Sequence, residues 1–132
     1  KFYPALIILA LSYGELMEFE KSKSALDRIG HNNPTVKSQV GYLFAKQKKS
    51  KEAENQIQML DQDFSMHPFR DYAKSVIYLA LGEIDKSAEI LQSAVSKNGF
   101  VARDLTLGND PRISLLIHHP DANQLKGLVM PR

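Results

Sequence analysis

The sequence predicts an all-α fold assembled from antiparallel helix pairs. Three observations predict it. A quartet of small, aromatic, small and bulky apolar residues occurs three times: Ala10, Tyr13, Ser22, Leu26; then Gly41, Phe44, Ala53, Ile57; then Ser75, Tyr78, Ser87, Leu91. Within each occurrence the apolar residues recur every three or four positions, the spacing of one helix face. Gly30 and Pro34 separate the first occurrence from the second, where one helix stops and another starts. The quartet has a physical reading: small residues let two helices approach closely, and the aromatic fills the space between them.

Taken in order, Leu6, Leu9, Ala10 and Tyr13 line one face of a first helix, and Phe19, Ser22, Leu26 and Ile29 line a second that closes at Gly30. The run Phe2–Leu11 is apolar for ten residues, where a membrane span needs about twenty, so no insertion of this segment into a membrane is expected. Ser12-Tyr13-Gly14-Glu15-Leu16 continues the run at helical spacing with no small-residue cleavage site, unlike a signal peptide. The chain starts at Lys1 rather than methionine, which suggests a piece of something longer. In the second pair the equivalents are Val40, Gly41 and Phe44, then Ala53, Ile57 and Leu60. In the third they are Ser75 and Tyr78, then Gly82, Ile84, Ser87, Leu91 and Ala94. One domain is expected, with units at about 1–34, 35–67 and 68–99, spaced first by about 31 and then by 34 residues. Residues 100–132 form a capping tail, where Asp110-Pro111 and His119-Pro120-Asp121 start two short helical turns.

Composition narrows the functions. With 43% hydrophobic and 24% charged residues the 132-residue chain is an ordinary globular one. Having no cysteine, it has no disulfide, no thiolate zinc site and no cysteine nucleophile. The net charge of +2 is spread evenly, with four, five, four and four Lys or Arg against four, four, four and three acids in residues 1–33, 34–67, 68–99 and 100–132. Nucleic-acid binders concentrate positive charge, so no nucleic-acid partner is expected.

The quartets resemble the tetratricopeptide repeat, whose pattern has a small residue at position 8 of 34, an aromatic at 11, a small residue at 20 and a bulky one at 24. The match covers residues 1–99; no unit has the family's tryptophan, and Lys74 stands where the third unit would carry leucine. The tail is similar to the Asp-Pro-Arg-Phe tail that ends helical-repeat regions in bacterial ToxR-type regulators and related signalling proteins, with Ile113 in place of the phenylalanine. The resemblance implies a right-handed superhelix with a concave groove lined by Pro4, Ile7, Leu11, Gly14 and Glu15, by Thr35, Ser38, Tyr42, Ala45 and Lys46, and by Phe69, Tyr72, Val76, Leu79 and Ala80. Of these, Ile7, Leu11, Tyr42, Lys46, Tyr72 and Val76 are the expected partner contacts, with Glu15 and Lys46 the few charges. The competing expectation is that the tail or a neighbouring repeat fills the groove. The first helix is apolar nearly all round, so Phe2, Leu6, Ile8 and Leu9 are expected to join two copies into a homodimer or to meet a further repeat.

No catalytic constellation is legible. The serines lack a nucleophile elbow, and the scattered glycines make no phosphate loop. His31 and His67 fall in loops, while His118 and His119, as neighbours, point about 100° apart on a helix, so neither a metal nor another cofactor is expected. Lys46, Lys48, Lys49 and Lys51 make a short basic run that reads first as a solvated loop. The expectation is therefore a non-enzymatic protein-interaction module of a bacterial regulatory or signalling protein. The alternative is a sensory domain holding a small ligand between repeats. The compartment is left open by the sequence, with the cytoplasm favoured over the periplasm.

Overall fold

The structure, a computed structural model, describes residues 3–97 and, beyond them, Arg112. Those residues are all-α, as the sequence predicts: α1 (Tyr3–Glu15), α2 (Phe19–Ile29), α3 (Pro34–Lys46), α4 (Ser50–Asp63), α5 (Arg70–Ala80) and α6 (Ile84–Lys97). Phe2, His118, His119 and the expected tail turns lie outside the described residues.

Each helix packs on its successor in the pairs α1–α2, α3–α4 and α5–α6, and the pairs are joined chiefly through α3 against α5, with α4 also against α5 and α1 and α2 touching α3. Asn33 starts α3: its Oδ1 accepts from the Thr35 backbone N–H at 2.8 Å, and Pro34 takes the first helical position, where no N–H is needed.

The three turns inside the pairs are the same turn. Backbone N–H groups of Glu18, Lys49 and Glu83 donate to the carbonyls of Tyr13, Phe44 and Tyr78 at 2.9, 2.8 and 3.0 Å. Met17, Lys48 and Gly82 hold the left-handed position between them, with φ of 61°, 67° and 88°. This is the bonding by which a helix satisfies its last carbonyls before the chain reverses. The residues at φ > 0 are 31 and then 34 positions apart, the intervals of the sequence quartets.

The small quartet positions meet inside the first and third pairs. Ser22 Oγ donates to the Ala10 carbonyl at 2.7 Å, and Ser87 Oγ donates to the Ser75 carbonyl at 2.6 Å, each across twelve residues. The second pair has Ala53 at the serine's place, fully buried, and Gly41 opposite. A Cβ on Gly41 would lie 2.5 Å from Ile77 Cδ1 and 3.3 Å from Gln56 Cβ, so α3 approaches α5 at a distance that excludes a side chain unless Ile77 shifts, and α4 at one that is tight for any residue but glycine. Lys21 covers the Tyr13 ring at 5.7 Å and Lys86 covers the Tyr78 ring at 4.6 Å, one further feature shared by the first and third pairs.

Two apolar clusters result. One joins Ala10, Leu26, Val36, Tyr42, Leu43, Tyr72, Val76 and Leu91 across five helices, and the other joins Ala45, Ala53, Ile57, Leu60, Ala73 and Ile77 between α3, α4 and α5. Helices α3 and α5 supply both clusters and are buried on more than one side, whereas α4 buries a single stripe. Counting by the turn intervals, Ala5, Ile8 and Ser12 of α1 match Val36, Gln39 and Leu43 of α3. The α3 residues are buried, and the α1 residues are exposed.

Candidate functional site

A concentration of polar chemistry in the described residues surrounds Tyr42 on α3. Its hydroxyl donates to the Glu15 carboxylate at the end of α1. Lys46, one helical turn on, places Nζ 5.3 Å from the ring centroid, and the guanidinium carbon of Arg112 lies 5.9 Å from it. Arg112 is only 4% exposed, and its Nη1 donates to Ser38 Oγ at 3.1 Å and to Gln39 Oε1 at 3.0 Å. Gln39 in turn donates through Nε2 to the Ala10 carbonyl at 3.2 Å and to Ser22 Oγ at 3.3 Å. A buried line of hydrogen bonds thus runs from Arg112 through α3 to the first helix pair, and no buried side-chain nitrogen or oxygen among the described residues lacks a partner.

The residues expected to line a groove divide into two groups. Leu11, Tyr42, Tyr72 and Val76 are buried, Val76 completely, and the last three belong to the cluster shared by five helices. Ile7 is half-buried and Lys46 exposed. The physical reason is the close α3–α5 packing, which turns into core a stripe that the sequence pattern marks only as apolar and aromatic. The two expected groove charges, Glu15 and Lys46, both reach Tyr42. The sequence marks Arg112 only as part of the Asp110-Pro111-Arg112 tail motif and does not link it to Gln39. Gln39 closes the polar run Lys37-Ser38-Gln39 between Val36 and Val40, so nothing in the sequence sets it apart from a solvated residue.

On α1 the expected self-association residues behave differently. Ile8 is 63% and Leu9 43% exposed, while Leu6 is half-buried and shares a groove of about 340 Å³ with Leu9, Tyr13, Lys21, Ala25 and Arg28. A smaller hollow of about 170 Å³ lies between α2 and α3, lined by Phe19, Lys23, His31, Phe44 and Lys49 among others. Lys46, Lys48, Lys49 and Lys51 are all exposed around the α3–α4 turn. Among the described residues no three His, Asp or Glu side chains gather as a metal site: His31 pairs with Asp27 at 2.8 Å, and His67 Nδ1 accepts from the Phe69 N–H at 3.1 Å.

No known protein family matches the chain, and no curated protein or solved structure matches it significantly. No helix among the described residues is long and apolar enough to cross a membrane.

Proposed function

We propose that the chain is a non-catalytic protein-interaction module, a tetratricopeptide-like array wound as a right-handed superhelix within a regulatory or signalling protein of bacterial type. Its concave face takes an apolar peptide, helix or partner domain. The observation that carries this reading is the threefold recurrence of one turn, with Met17, Lys48 and Gly82 at φ > 0, at the intervals of the small–aromatic–small quartets. Equivalent pairs stacked through their first helices are how repeat arrays build extended binding surfaces. The hollow on α1 and α2 is open to solvent rather than enclosed, which favours a protein partner over a small ligand.

Of the residues on the proposed face, Glu15 and Lys46 are exposed and Ile7, Thr35, Phe69 and Ala80 are half-buried. A photoreactive amino acid placed at Ile7 or Lys46 in the full chain is expected to cross-link the partner, and one placed at exposed Gln58 on α4 is not. Cross-linking from Gln58 alone would overturn the assignment of the face.

A further inference from the structure

Arg112 follows α6 in the chain, yet its side chain is buried against α3. Burying a guanidinium is costly unless its donors are met and its charge is accommodated. Around Arg112 the accommodating groups are themselves fixed. Ser38 Oγ donates to the Thr35 carbonyl at 2.7 Å, which leaves its lone pairs to accept from Nη1. Gln39 spends its amide N–H donors on Ala10 and Ser22, which turns Oε1 toward Arg112. The Tyr42 hydroxyl is tied to Glu15, which holds the electron-rich ring beside the cation. The Tyr42 ring takes either kind of cation, since the Lys46 ammonium also lies 5.3 Å from it. Selectivity comes from the two fixed acceptors, Ser38 Oγ and Gln39 Oε1, which suit the directed N–H groups of a flat, weakly hydrated guanidinium better than a compact, strongly hydrated ammonium.

We infer that this pocket is a guanidinium-binding site, that Arg112 fills it in the free chain, and that a protein partner engages it by supplying an arginine in place of Arg112. The pocket's chemistry is independent of the interaction reading above, and only the source of the incoming arginine rests on that reading. In the free chain the face of α3 is then occupied from within, and a partner's first step there is the exchange of one guanidinium for another.

The test uses the full chain and its Arg112→Ala variant, titrated with the blocked tripeptides Ala-Arg-Ala and Ala-Lys-Ala. Removing the resident side chain removes its competition, so the arginine peptide is expected to bind the variant at least about tenfold more tightly than the unaltered chain. The lysine peptide is expected to show no such gain, and adding Gln39→Leu to the variant is expected to abolish it. Equal affinity of the arginine peptide for both chains, or equal gains for arginine and lysine, would overturn the inference. Should Arg112→Ala fail to fold, the unaltered chain still decides. The guanidinium protons of Arg112 are expected to exchange with solvent more slowly than those of exposed Arg28, and equal exchange would sink the site. These probes involve no protein partner, so a failed cross-link at Ile7 and Lys46 would end the interaction reading while leaving this result standing.

Discussion

Gly41 shows how much one missing atom decides. The Cβ it lacks would fall 2.5 Å from Ile77 Cδ1, a side chain with no exposed surface to move into. Gly41→Ala is expected to destabilise the fold by about 1–3 kcal/mol, the usual cost of overpacking. Ile77→Ala removes both obstructing atoms, Cδ1 and the Cγ1 that would lie 2.7 Å from the new Cβ, so the double variant should be more stable than the two single losses predict, with a coupling of at least about 0.5 kcal/mol in urea unfolding. Simple additivity would show that the two helices can separate at no cost. The turns make an opposite prediction. Lys48 holds φ of 67°, which an L-residue adopts at a penalty, and Gly82 holds the matching position without one. Lys48→Gly is expected to stabilise by about 0.5 kcal/mol and Gly82→Ala to destabilise by about 1 kcal/mol, with Lys48→Ala unchanged as the control. Losses for both Lys48 variants would mean that the long side chain, not the backbone, sets the turn.

Among the elements, α3 and α4 differ because one is covered on several sides and the other on one. Ala53 is fully buried on the single apolar stripe of α4, the helix that packs on α3. Ala53→Leu is expected to destabilise by about 1–3 kcal/mol, and Lys49→Ala, at an exposed turn position, to stay within about 0.5 kcal/mol of the unaltered chain. Equal urea midpoints would contradict the assigned crossing. This is the part of the fold that the sequence made legible. A quartet of residue sizes at helical spacing encodes where two consecutive helices touch, because both partners lie within a few turns of each other. The site was less legible for the same reason. The stripe through Tyr42, Tyr72 and Val76 reads the same whether it faces a partner or a neighbouring helix, and only the α3–α5 packing distinguishes the two. The bond between Gln39 and Arg112 spans 73 residues and leaves no periodic trace at all.

At the scale of the whole molecule, the central claim is that the chain is an array of equivalent helix pairs whose stacking face is left open on α1. The face that α3 buries with Val36, Gln39 and Leu43 is carried on α1 by Ala5, Ile8 and Ser12, and there it is exposed. Leu9 and Leu16 widen it with further exposed apolar surface. On the proposed reading this apolar helix face is an interaction site, and in a single purified chain the available partner is a second copy, with a symmetric dimer the commonest closed outcome. Ile8→Glu places a charge at its centre without touching the buried side of α1. Light scattering from micromolar to millimolar chain concentration tests the claim most directly. The account predicts a mass that rises from 14.9 kDa toward twice that value, and an Ile8→Glu variant that stays at 14.9 kDa. An unaltered chain that remains at the mass of one copy throughout would contradict it.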